Sequence, residues 1–249
     1  MTGWPQGVGR RVLSTVDSTM AEGARIAPTL AGPEWVLAHA QTAGHGRRGR
    51  AWASPSGNFM ASLVMRPTEP PEVVALRSFV AALALRDALQ DATGRADGLA
   101  LKWPNDVLLN GGKLAGILLQ SIGAGARVDH LIIGIGVNLA TAPGTGEVEP
   151  GAVPPVSLLS ETGAQVTPED FLDLLAPAYA RHEAAFTTYG FAPIRTAWLA
   201  GAARLGETIT ARTGREAITG RFETVDEAGN LVLSTPGGQR IIPAAEIFF

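Results

Sequence analysis

At 249 residues the chain is long enough for one large domain or for a large domain plus a small one, and two unequal domains are expected. A formal net charge of −3 excludes a global basic field for holding nucleic acid and is too small for a polyacidic tail, so any anion site has to be local. Cysteine is absent, which excludes disulfides, thiolate catalysis and Cys-ligated zinc and makes a reducing cytoplasm the natural compartment. The first residues lack an apolar signal core, and the best apolar run, FVAALAL, is stopped by Arg86 and Asp87. Neither a signal peptide nor a membrane span is expected.

Eighteen of the twenty basic residues are arginine, and the two lysines, Lys102 and Lys113, share one segment. Two residues cluster by chance often enough that this only directs attention to their neighbours.

Residues 11–17 read as a strand entering a helix whose start is signalled by Asp17, Ser18 or Thr19, with Glu22 available for a capping box. Residues 35–41 form a second apolar strand, followed by the Gly/Arg-rich loop TAGHGRRGRAWASPSG. In the next strand Phe59, Ala61, Leu63 and Met65 alternate as in a half-buried element. The run from Pro71 to about Thr93 has apolar residues near helical spacing and reads as one core helix. Then LALKW, a PND turn, VLL, an Asn110-Gly111 turn, KLAGILLQS and HLIIGIGVNLA read as a β-meander. Residues 141–155 are Pro/Gly-rich and read as loop, and 167–188 and 191–200 as helices. From Arg204 short strands with Gly turns suggest a small β-barrel-like domain. The expected division is 1–202 and 203–249.

Two segments carry chemistry. Residues 44–50, GHGRRGR, hold three glycines that let backbone N–H groups converge on an anion and three arginines with donor forks matched to phosphate or carboxylate. A solvated basic turn fits the loop equally well, and its spacing is neither a Walker loop nor a Rossmann fingerprint. Residues 102–106, KWPND, place a lysine, a rigid proline turn, an amide and a carboxylate at a strand end. There Lys102, Asp106 and the nearby Lys113 can meet one anionic ligand and a metal. Alone, that segment is also compatible with an ordinary turn beside a core tryptophan. Gly116 permits close backbone approach, and Asn138 ends GIGVN with an amide suited to an adenine edge.

In combination, DST at 17–19, QTAGHGRRGR at 41–50, KWPND at 102–106, KLAG at 113–116 and GIGVN at 134–138 closely resemble the biotin protein ligase family. The resemblance is strong over 11–140 and extends through the terminal β-region. It implies a mixed-sheet α/β catalytic domain followed by an SH3-like β-barrel, with biotin, ATP and Mg2+ as ligands. It implies that Ser18, Thr19, Met20, Gln41, Gly44, His45, Gly46, Arg47, Lys113 and Gly116 surround biotin. For ATP it implies Arg47, Arg50, Trp52, Lys102, Asn105, Lys113 and Asn138, with Asp106 as metal ligand. Lys113, Arg47, Lys102 and Asp106 are the implied reaction-centre groups, and the implied partner is a biotin carboxyl carrier protein that offers a lysine. Met20 replaces a usual asparagine, removing a polar group near the biotin head. His45 replaces a common arginine, exchanging a guanidinium for an imidazole.

A lipoate or octanoate ligase uses the same adenylation logic, but the polar set Ser18, Thr19 and Gln41 suits a ureido ring better than an alkyl chain. An inactive binding module that keeps the pocket is a third reading. A nucleic-acid-binding regulator finds no support in the charge, and the ten or so residues before the first strand are too few for a helix-turn-helix domain. No DNA or membrane partner is expected, and a homodimer is left open.

Overall fold

The computed structural model describes residues 3–52, 55–124, 127–144 and 153–249. A seven-stranded mixed sheet is built from β1 (Gly9–Leu13), β2 (Glu34–Ala38), β3 (Phe59–Met65), β4 (Leu99–Lys102), β5 (Asp106–Leu109), β6 (Gly112–Ala124) and β7 (Arg127–Val137). Its order is β1-β2-β3-β7-β6-β5-β4. Only β1 and β2 run parallel, because α1 (Thr19–Ile26) supplies a crossover between them; the long Gly/Arg loop separates β2 from β3, a helical stretch separates β3 from β4, and β4 to β7 follow one another as antiparallel neighbours.

The pleat sorts the two faces of this sheet. Phe59, Ala61 and Leu63 of β3 and Ile133 and Ile135 of β7 belong to the main core together with α3 (Arg77–Thr93). Also in that core are residues of α5 (Pro168–Tyr189) and α6 (Phe191–Ala200). Phe59 meets Phe171 edge to face at 5.0 Å, and Phe79 meets Trp198 at 5.2 Å, contacts worth about 1 kcal/mol each beyond the area they bury. The other face carries α1, whose Met20 and Ile26 pack with Val36, Val64 and Ile132.

Several local expectations are corrected here. The run from Pro71 to Thr93 is two helices, α2 (Pro71–Ala75) and α3, meeting at Leu76. Strand β3 is buried along both faces rather than alternating, because it is central and carries helices on each side. Ser18 caps α1 by accepting from the Met20 N–H, but Glu22 pairs with Arg25 instead of closing a capping box. Part of the expected loop at 141–155 lies outside the described residues. Its described end leads into α4 (Leu158–Thr162), capped by Ser157.

After α6, residues 201–203 run along the edge of β4, with Leu101 N–H to Gly201 O at 2.8 Å and Ala203 N–H to Leu101 O at 2.8 Å. This covers an edge that would otherwise present unpaired backbone groups. A five-stranded antiparallel sheet of the SH3-like kind follows: β8 (Thr208–Arg212), β9 (Ala217–Val225), β10 (Leu231–Thr235), β11 (Gly238–Ile242) and β12 (Glu246–Phe248). Its order is β11-β10-β9-β8-β12. The buried Trp103 indole donates to Gly229 O at 3.0 Å, and Arg195 of α6 donates to the Val225 carbonyl. The second sheet is therefore docked against the first through hydrogen bonds as well as chain continuity.

Candidate active site

Small residues floor one end of the sheet. Gly116 lies opposite Gly136 and Leu118 opposite Gly134 across β6 and β7, and Met60 and Ser62 of β3 extend the same face. A Cβ on Gly136 would stand 2.6 Å from the Trp52 indole and one on Gly134 2.5 Å from Met20 Sδ. Glycine is required at both positions by close approach. Above this floor lies a cavity of about 600 Å3, the size of a small-molecule site. Of the residues anticipated from the sequence, all but Gly44 line it. Gly44 sits behind, its carbonyl accepting from the Trp52 N–H at 3.0 Å.

One group of polar side chains is held by mutual hydrogen bonds. The Thr19 N–H donates to Gln41 Oε1 at 2.7 Å, and Ser62 Oγ donates to Thr19 Oγ1 at 2.9 Å. Ser18, Thr19 and Ser62 are all buried, so their orientations are fixed before any ligand arrives. Beneath them Asp17 accepts from Arg25 and from the Ser18 N–H, and these bonds hold its carboxyl well below the usual range.

A second group is charged. Lys113 Nζ lies 2.8 Å from Asp106 Oδ1; that oxygen is buried and has no aligned hydrogen-bond donor among the described residues, so the contact is ionic. A bulge makes this meeting possible. Val107 pairs with Ala115 but Leu108 with Lys113, leaving Leu114 as the extra residue. The bulge turns Lys113 onto the face that carries Asp106 and Gly116. Lys102 ends β4 opposite Asp106, and burial pulls its ammonium pKa down, partly opposed by Asp106 and reinforced by Lys113. Both lysines stand over aromatic rings, Lys113 at 5.7 Å from the Trp52 centroid and Lys102 at 5.2 Å from that of Phe249.

The Gly/Arg loop folds into a small hairpin. Gly46 N–H donates to Arg50 O and Arg50 N–H to Arg47 O, so these two amides serve the loop itself and its arginines face outward to partners. Arg47 approaches Asn105 Oδ1 and Ala245 O at 3.4 Å each; burial lowers its guanidinium pKa, with Asp106 opposing. Arg48 and Arg50 each grip one oxygen of Glu246 on β12, at 2.9 and 2.5 Å. Burial would raise the Glu246 pKa, but Arg50 and Arg48 outweigh it and hold the carboxyl below its ordinary value. Residues 53–54 of the loop lie outside the described residues.

Asn105 Nδ2 donates to Ile117 O at 2.6 Å, fastening the KWPND turn to β6. Asn138 Nδ2 donates to Val156 O at 3.1 Å, tying the end of β7 to the segment before α4. Both amides therefore support backbone as well as lining the cavity. His45 is exposed, 3.4 Å from Ala43 O. His39, His130 and His182 contact Glu169, Arg66 and Asp87 respectively, away from the cavity.

Sequence reasoning missed Ser62 and the contribution of Ala245, Glu246, Ile247 and Phe248 to the cavity wall. Ser62 carries a weak signal as a polar residue in an otherwise apolar strand. The terminal residues carry none, because they reach the cavity only when the second sheet docks.

Residues 8–138 match the model of the biotin/lipoate A/B protein ligase family, and 205–249 that of the biotin protein ligase C-terminal domain. The chain belongs to this ligase family. The biotin--[acetyl-CoA-carboxylase] ligase of Paracoccus denitrificans is 60% identical over 96% of this chain and 99% of its own length. The bifunctional ligase/repressor of Bacillus subtilis is 32% identical over 85% of this chain and 65% of its own length. Among solved structures, the Aquifex aeolicus biotin protein ligase in complex with biotin and ATP is similar with a TM-score of 0.81 at 26% identity, covering 96% and 97% of the two chains. The mixed sheet with a terminal antiparallel sheet is thus the architecture of this ligase family, as the motifs implied.

Proposed function

We propose that the chain is an ATP-dependent biotin protein ligase, which condenses biotin with ATP to biotinyl-5′-AMP and then transfers the biotinyl group to a lysine of a biotin carboxyl carrier protein. The observation that carries this reading is the 60% identity, over nearly the full length of both chains, to a biotin--[acetyl-CoA-carboxylase] ligase. The cavity supports it, because an ordered polar group and a cationic group share one wall-to-wall space.

In the first step a biotin carboxylate oxygen attacks the α-phosphorus, the bond to the bridging oxygen breaks and pyrophosphate leaves. Two anions must approach to bonding distance, and Arg47, Lys102 and Lys113 supply the compensating charge. Ser18, Thr19 and Gln41 hold the ureido ring with donors and acceptors that an alkyl acid cannot use. Met20 fills apolar space against Gly134, while Gly46 and His45 close beside the head group. Trp52 over Gly136 and Gly116 offers a face for adenine, with Arg50, Asn105 and Asn138 around it. Mg2+ takes one or two carboxylates and otherwise phosphate oxygens and water; Asp106, whose buried Oδ1 lacks an aligned donor and meets the Lys113 ammonium at 2.8 Å, would supply one such carboxylate once Lys113 turns to the phosphates, and the described residues contain no cluster of three His, Cys, Asp or Glu. Bound there, Mg2+ would neutralise phosphate charge.

In the second step the carrier amine attacks the acyl carbon, AMP leaves and the amine loses a proton. The loop at 43–56 excludes water from the mixed anhydride until then. We read residues 1–202 as the catalytic unit and 203–249 as the unit that braces this loop through Glu246. Among the described residues no helix is long and apolar enough to cross a membrane, and we place the enzyme in the cytoplasm with its carrier. Biotin-dependent exchange of pyrophosphate into ATP, followed by labelling of a carrier domain, tests the reading. Exchange supported by octanoate or lipoate but not by biotin would overturn it.

A further inference from the structure

Lys102 lacks the partner that Lys113 has. Among the described residues no carboxylate lies within ion-pair distance of it, and its direct contact is the ring of Phe249, the last residue of the chain, 5.2 Å from the ammonium. Arg204 lies 5.2 Å from the same ring and is itself held by Glu207 at 2.8 Å. Phe249 directly follows β12, whose Glu246 is gripped by the loop arginines, and its half-exposed ring lies between Lys102 and Arg204. An ammonium on a four-carbon stem has many rotamers. A ring face within about 6 Å attracts it without neutralising it, which a carboxylate would do.

We propose that Phe249 is a positioning residue: by a cation–π contact from the second sheet it holds the Lys102 ammonium ready for the phosphates of ATP. The idea rests on the adenylation reading above. It makes the second sheet part of the nucleotide site and would tie docking of that sheet to the chemistry on the first. The lowered Lys102 pKa, caused mainly by burial, agrees with a cation withdrawn from water without a contacting counter-ion.

Because the chain has only two lysines, 13C labelling at lysine Cε yields two signals in the full-length protein, and Lys102→Arg assigns one of them. Phe249→Leu should remove the ring-current displacement of the Lys102 signal while leaving that of Lys113, which sits over Trp52. It should raise the KM for ATP about three- to tenfold, more than it lowers kcat, without changing the KM for biotin. Phe249→Tyr should retain both the signal and the KM. Replacement of Phe249 by phenylalanines with one, two and three ring fluorines, which drain the ring face with little change in shape, should raise the KM for ATP stepwise. An unmoved Lys102 signal in Phe249→Leu, or a flat fluorine series in an active protein, overturns the proposal. Absence of biotin-dependent exchange in the unsubstituted protein overturns the functional reading and the nucleotide role together, an outcome distinct from either.

Discussion

Lys113 Nζ stands 2.8 Å from Asp106 Oδ1 and 5.7 Å from the ring of Trp52, so the lysine is confined by a carboxylate and an aromatic face at once. A guanidinium is broader and planar and cannot reproduce the contacts of a compact ammonium. Lys113→Arg, despite keeping its charge, should slow single-turnover adenylate formation about a hundredfold through misplacement of roughly 1 Å. Near-normal chemistry in that variant would mean that charge alone matters at this position.

Glu246 joins Arg48 and Arg50 to β12, and its loss should free the loop rather than unfold it. Glu246→Gln should therefore form biotinyl-5′-AMP but release it faster, measured as adenylate leakage in the absence of carrier. The pH dependence follows from the depressed carboxyl. Its stabilising effect is complete above the ordinary value of 4.5 and is lost as pH falls through the lower folded value. Retention should be flat from about pH 8 to pH 5 and decline in more acid solution, whereas Glu246→Gln should lack that decline.

Ser62 does not itself line the cavity and would reach a ligand there through Thr19. Its hydroxyl, 2.9 Å from Thr19 Oγ1, is one hydrogen bond worth about 1 kcal/mol, or roughly fivefold in affinity. Ser62→Ala should raise the KM for biotin by that factor while the KM for ATP is unchanged. A shift of equal size in both constants would point to general damage to the sheet.

Arg77 is a structural cation remote from the chemistry. It is 2% exposed and bonds Glu69 and Glu183 at 2.8 Å each, with Phe186 beneath it at 5.0 Å. Arg77→Ala leaves two partly buried carboxylates without a partner and should cost about 3 kcal/mol in denaturant unfolding. Adenylation by the folded fraction should be preserved; a catalytic loss without a stability loss would contradict this assignment.

Element order was legible because strand alternation, helical spacing and turn residues are properties of neighbours in the chain. The helices at 167–188 and 191–200 were read to within a residue or so. The break at Leu76 was not, since the apolar spacing continues through it and only the packing of α3 against α5 and the sheet separates the two helices. Likewise the alternation of Phe59, Ala61, Leu63 and Met65 suggests a half-buried β3, while its true neighbours are set by sheet order.

The sequence by itself supplied the candidate residues, namely the polar set at 18, 19 and 41, the arginine loop and the two lysines astride one hairpin, through the combination of motifs that resembles the ligase family, since each segment alone is also compatible with an ordinary turn or loop. Tertiary structure alone decided how they meet. A single extra residue at Leu114 turns Lys113 onto the face of Asp106, and no linear pattern marks a bulge whose effect is felt only against a paired strand. Docking of the terminal sheet brings Glu246 to the loop and Phe249 to Lys102, contacts across more than a hundred residues that arise from buried surface between two sheets and leave no trace in local spacing.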